Sequence, residues 1–149
     1  MNDQNLIAPC GVYCGVCPQM IAYKNNNVRL KEKLAANYGM KPEEISCDGC
    51  TSDNPFVLCA SCEIKSCVQE KGIESCAECE EFPCETIENF PVPQFIKKVK
   101  WDVNCRRENG KDNWIATSIE MNTCPSCQSL NHWVAKRCIS CKGEMQERY

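Results

Sequence analysis

Sixteen cysteines stand among 149 residues, and their spacing is the most legible chemistry in the chain. Twelve fall into six C-x2-C pairs: Cys14/Cys17, Cys47/Cys50, Cys59/Cys62, Cys76/Cys79, Cys124/Cys127 and Cys138/Cys141. Such a turn aims two sulfurs and the nearby backbone N–H groups at one point. That suits a tetrahedral ion with Zn–S near ~2.3 Å. Cys10, Cys67, Cys84 and Cys105 stand outside the pairs. Disulfide frameworks rarely use so many short pairs, so the pattern points to metal thiolates.

The last motif is Cys124-Pro-Ser-Cys127, ten residues, then Cys138-Ile-Ser-Cys141-Lys-Gly. Two knuckles joined by a spacer long enough for two short strands predict a β zinc ribbon over 123–149. His132 and Trp133 lie in that spacer. Four cysteines complete the site without His132, the single histidine, so it is expected to be exposed or packed rather than ligating. Trp133 is expected to cover the cluster or pack on the helix of Trp114.

Twelve cysteines precede this motif, enough for three four-thiolate sites and so up to four zinc ions in all. One grouping takes Cys47, Cys50, Cys59 and Cys62 together, then Cys67, Cys76, Cys79 and Cys84. Cys10, Cys14 and Cys17 would then need Cys105. An interleaved grouping is equally allowed, because Cys59-x2-Cys62-x4-Cys67 and Cys76-x2-Cys79-x4-Cys84 are copies of one spacing. Cys105 lies in a predicted helix, off its apolar stripe, and reads as a free thiol as readily as a ligand.

An iron–sulfur cluster is the alternative cofactor, since four-cysteine sites serve both metals. The bacterial ferredoxin pattern does not fit either repeat unit, because each has x4 before its third cysteine and no proline after it. Cys10-x3-Cys14-x2-Cys17 has the spacing with which radical S-adenosylmethionine enzymes hold such a cluster. No alternating strand–helix pattern follows it. No Ser/His/Asp set, phosphate loop or open His/Glu metal site is present. Sites closed by four thiolates favour structure over catalysis, so the chain reads as a non-enzyme.

Those thiolates need a scaffold that the composition supplies only thinly. Aromatics are 7% of residues and mean hydropathy is −0.44. No apolar stretch spans a membrane, and the first residues have no basic-then-apolar leader. A cytoplasmic protein is therefore expected, in which thiols stay reduced. Residues 1–92 carry 7 basic and 14 acidic side chains, whereas residues 93–149 carry 10 and 6. Each four-thiolate zinc site adds negative charge. The N-terminal part is thus a poor nucleic-acid surface. Only Lys97, Lys98, Lys100, Arg106, Arg107, Lys136 and Arg137 offer a weak one, and a protein partner fits better.

The elements read as follows. Pro18 starts a helix over 19–38 with Met20, Ile21, Leu30, Leu34 and Tyr38 on one face. The run Asn25–Asn27 is expected to break it, and Gly39 to end it. Residues 41–46 make one turn, and 74–81 a short acidic helix. The acidic run from Glu78 to Glu88 is a solvated face. After Pro91 and Pro93 come helices over 94–108, with Phe95, Ile96, Val99 and Val103 inward, and over 112–121. Asp112 caps the second, with Trp114, Ile115, Ser118 and Ile119 inward. The expected class is a small α+β fold of short helices and loops around cysteine-ligated zinc. Its parts are a cysteine-rich metal-binding domain (1–90), a helical segment packing on it (91–122) and the zinc ribbon (123–149).

Cys10-Gly-Val-Tyr-Cys14-Gly-Val-Cys17-Pro18, Ile45-Ser-Cys47-Asp-Gly-Cys50, Cys59-x2-Cys62-x4-Cys67 and Cys76-Ala-Glu-Cys79-Glu-Glu-Phe82-Pro83-Cys84 follow one another in order. In that order they resemble a cysteine-rich prokaryotic domain family of unknown function, regarded as zinc-binding, over roughly residues 8–90. The resemblance implies bacterial or archaeal origin and metal binding, and supplies no substrate or reaction.

Overall fold

A computed structural model describes residues 6–149. Seven α-helices lie among the described residues: α1 (Pro18–Lys24), α2 (Val28–Tyr38), α3 (Val57–Ala60), α4 (Glu63–Lys71), α5 (Glu85–Glu88), α6 (Pro93–Asn109) and α7 (Lys111–Asn122). Single 3-10 turns at Cys14–Val16, Pro42–Glu44 and Cys76–Glu78 link them. The turn at Cys76–Glu78 replaces the short helix expected over 74–81.

The helix ends follow local chemistry. Pro18 sits in the first turn of α1, where a missing N–H is harmless. The asparagine run breaks the helix as expected: Asn27 is the N-cap of α2, and its side chain accepts from the Leu30 N–H. Gly39 ends α2 in the left-handed region at φ 65°. The start of α7 differs from expectation. Gly110 is the N-cap and Asp112 lies inside the first turn, because α6 and α7 are joined by that one glycine.

The α+β class is overturned. Among the described residues there is no β-strand, only isolated antiparallel bridges at Ile7/Tyr13, Thr123/Leu130 and Arg137/Glu144. The C-terminal β ribbon is therefore absent. Two backbone donors of the spacer that was to form two strands are directed away from it. The Asn131 N–H donates to Asn122 O (2.8 Å) and the Trp133 N–H to Val16 O (2.9 Å). Gln128 also takes φ 63°, outside any strand. What remains is two knuckles, each held by one bridge.

One apolar core runs from Leu6 to Ile115. Val16, Val99, Val103 and Trp114 have no exposed surface. Phe95 and Ile96, expected inward, are half-buried. Tyr13 meets Trp114 edge-on at 6.2 Å. Two glycines of the first cysteine loop are required by close approach. A Cβ on Gly15 would stand 2.4 Å from the Tyr13 ring. One on Gly11, at φ +98°, would stand 2.7 Å from Val103. The terminal segment has its own small cluster, Cys124, Cys138 and Met145. No helix of the described residues is long and apolar enough to cross a membrane.

Candidate metal centre

The thiols of Cys124, Cys127, Cys138 and Cys141 converge, with all four Sγ within 4.8 Å of one another. Cys124–Cys141 and Cys127–Cys138 are each separated by 3.6 Å. A tetrahedron with metal–sulfur bonds of ~2.3 Å has edges of about 3.8 Å. The donor set therefore fits a four-coordinate ion and leaves no ligand position open. Cys124 and Cys138 are buried, whereas Cys127 and Cys141 face solvent.

The chain around the quartet favours thiolate at Cys138 and Cys127 and opposes it at Cys141. Burial works against ionising Cys138. The Cys141 N–H, the Asn131 amide and the Ser140 N–H outweigh it and hold the thiol down to about 6. Asn131 is fully buried. Its Nδ2 lies 3.4 Å from Cys138 Sγ and 2.9 Å from Ser129 O, and its Oδ1 accepts from Ile139 N–H at 2.7 Å. Cys127 is lowered by its contact with Ser129 Oγ. The Gly143 N–H pulls Cys141 down, but proton sharing with Cys127 and Cys124 pushes it up to about 11.

His132 is buried rather than exposed, 8% accessible, with Nδ1 unpartnered. Burial first, then the Arg148 charge, depress it to about 4. It is not among the four converging ligands. Trp133 is half-buried against the main core, which includes Trp114 and Ile115. It meets Tyr149 edge-on at 6.3 Å, because its N–H is drawn to the first cysteine loop.

The other cysteines fall into two neighbourhoods that differ from the first sequence grouping. Cys14 and Cys59 are the foremost electrostatic neighbours of Cys50, and Cys10, Cys17 and Cys47 feel its charge. The contacts with Cys14 and Cys59 hold Cys50 down to about 3. Burial pushes Cys17 up to about 12. The second neighbourhood surrounds Cys76, whose charge neighbours are Cys84, Cys79, Cys67 and Cys62. Burial foremost pushes Cys76 up to about 12.

Cys59 is coupled foremost to Cys50, Cys62 is a charge neighbour of Cys76, and Cys10 feels both Cys50 and Cys76. α4, which starts after Cys62, folds back on α5, and Lys71 on α4 bonds Glu81 at 2.6 Å. Among the described residues, no three cysteines of either group reach the mutual closeness of the terminal quartet. Cys105 stands apart. Its neighbours are Asn109, Asp102 and Glu108, and burial raises its thiol.

Sequence reasoning overlooked a polar network beside these thiols. Lys98 and Asp102 are both fully buried and paired at 2.5 Å, and Trp114 Nε1 donates to Asp102 at 2.7 Å. Their i,i+4 spacing is the signal that could have revealed the pair. Lys98 is therefore absent from the basic surface. Arg106 pairs with Glu74 and Glu78, Lys100 with Glu88, and Arg107 donates to the carbonyls of Ala77 and Cys79.

The arrangement is that of a helical, cysteine-rich domain followed by a four-thiol knuckle. The family model described as a protein of unknown function (DUF3795) matches residues 6–89. That is more than half of the chain, and the chain belongs to that family. The terminal quartet lies outside the matched segment. Neither the curated proteins nor the solved structures searched give a match.

Proposed function

We propose that this chain is a zinc protein whose four-thiolate sites are structural, and that it acts in the cytoplasm by binding another protein. The observation that supports it most is the terminal quartet, whose sulfur separations of 3.6 Å suit a zinc tetrahedron. A Zn²⁺ ion there would supply a cross-link between two knuckles with almost no core of their own. Closed coordination and the absence of a hydrolytic set among the sequence motifs favour a binding role over catalysis. The basic side chains engaged in internal pairs favour a protein partner over nucleic acid.

The same reading assigns further metal to Cys10, Cys14, Cys17, Cys47, Cys50 and Cys59, and to Cys62, Cys67, Cys76, Cys79 and Cys84. The crowding of five thiols around Cys50 supports iron–sulfur as the second reading for the first of these groups. Elemental analysis of protein purified without oxygen tests both. Zinc at two or more ions per chain in a colourless protein supports the proposal. Brown protein with stoichiometric iron supports the second reading. Fewer than about two zinc ions per chain, without iron, counts against both, since four thiolates complete one site.

A further inference from the structure

We propose that the terminal segment is a metal-dependent clasp. While the quartet holds its ion, residues 131–149 stay seated and cover the Lys98 amine and the Trp101 ring. When the ion leaves, the segment lifts and uncovers a cationic, aromatic site. The inference rests on the reading of the quartet as a zinc site.

The seat is built from named contacts. The Trp133 N–H donates to Val16 O at 2.9 Å, between Cys14 and Cys17, and the Asn131 N–H to Asn122 O at 2.8 Å. Asn122 Nδ2 donates to the Tyr149 hydroxyl at 2.9 Å. The Tyr149 ring lies 4.4 Å from Lys98 Nζ and meets Trp101 edge-on at 5.1 Å. Trp101 itself lies 5.1 Å from the same amine. Lys98 is thus enclosed by Asp102 on its own helix and by two rings, one of them carried by the terminal segment. Arg148 Nη2 binds the segment together by donating to the carbonyls of His132, Trp133 and Ala135, at 3.3, 3.2 and 2.8 Å.

Two observations make this seat releasable. The segment's own buried cluster contains only Cys124, Cys138 and Met145, and the rest of its apolar packing is the half-buried Leu130, Trp133 and Ile139 against the main core, so the ion supplies much of what would keep the two knuckles folded. The buried side-chain polar atoms without a partner among the described residues also fall here. They are Ser118 Oγ and Asn122 Oδ1 on α7, and His132 Nδ1, Arg148 Nε and Arg148 Nη1 on the segment. Buried unpaired groups carry a desolvation penalty that water relieves on opening. The seat is therefore less firmly held than the core beneath it.

The test uses the full chain and the double variant Cys127→Ser/Cys141→Ser. Both thiols are exposed, and every other cysteine is left intact. Metal is counted, and Lys98 acylation by an N-hydroxysuccinimide ester is followed by peptide mass spectrometry. Exposed Lys97 is the internal standard, and amide exchange across α2 reports on the core. In the zinc-loaded wild type, Lys98 reacts at least tenfold more slowly than Lys97. The double variant loses one ion and gains at least tenfold in Lys98 acylation, while α2 keeps its protection. Tyr149→Ala shows the same gain with its zinc retained.

Loss of the ion with Lys98 still protected would overturn the clasp alone. Loss of protection in α2 together with Lys98 would overturn it in favour of a single cooperative unit. Equal metal counts in wild type and double variant would remove the zinc reading of the quartet and the clasp with it.

Discussion

Asn131 is where the quartet's geometry makes the sharpest demand. Its amide connects three groups at once: it donates to the Cys138 sulfur and to Ser129 O, and it accepts from the Ile139 N–H. Asn131→Ala removes all three contacts at a site with no solvent access. Loss of a group that supports a metal ligand typically lowers affinity 10–100-fold, or about 1.4–2.8 kcal/mol. The two backbone contacts are each worth about 1 kcal/mol to the folded knuckle. A knuckle that folds with its ion would already contain part of that in the affinity. The expected loss is thus about 2–3 kcal/mol in zinc binding, read by competition with a chromogenic chelator at fixed pH. Asn131→Asp keeps an acceptor for Ile139 but removes the donor and sets a negative charge against the thiolates. It is expected to bind zinc at least as weakly as the alanine variant. If both variants hold zinc within twofold of wild type, the assignment of Asn131 as the sulfur's supporting donor fails.

Asp102→Ala leaves Lys98 buried without its partner and is expected to lower stability by about 3–5 kcal/mol in urea unfolding. A change below about 1 kcal/mol would mean that the pair is solvated. His132, depressed to about 4 by burial and by Arg148, contributes stability that is present above its unfolded value of about 6.5. That contribution is lost as pH falls toward 4. The stability difference between wild type and His132→Leu should therefore shift against the wild type by about 2 kcal/mol between pH 7 and pH 5. A flat difference would show the imidazole to be solvated.

Much of the helical framework was legible because its signals are local. Pro18, the asparagine run, Gly39 and the stripe ending in Val99 and Val103 each act within a few residues, and the structure places those helix ends accordingly and buries Val99 and Val103, while Tyr38, expected inward, is exposed. The terminal quartet was legible for the same reason, since two C-x2-C turns bring their sulfurs near by backbone geometry alone. The ribbon was misread because ten residues suffice for two strands but do not compel them. The donors of Asn131 and Trp133 found acceptors on Asn122 and Val16, which are remote or hidden from any reading of the spacer by itself.

Residue types and short spacings therefore determined that this is a thiol-rich chain with a closed four-cysteine knuckle and a helical scaffold. Long-range packing alone decided that Cys50 sits among five thiols and that Lys98 is sealed under Tyr149. The physical reason is range. Backbone dihedrals and i,i+4 neighbours are written along the chain, whereas burial and charge neighbourhoods exist only once distant segments have packed together.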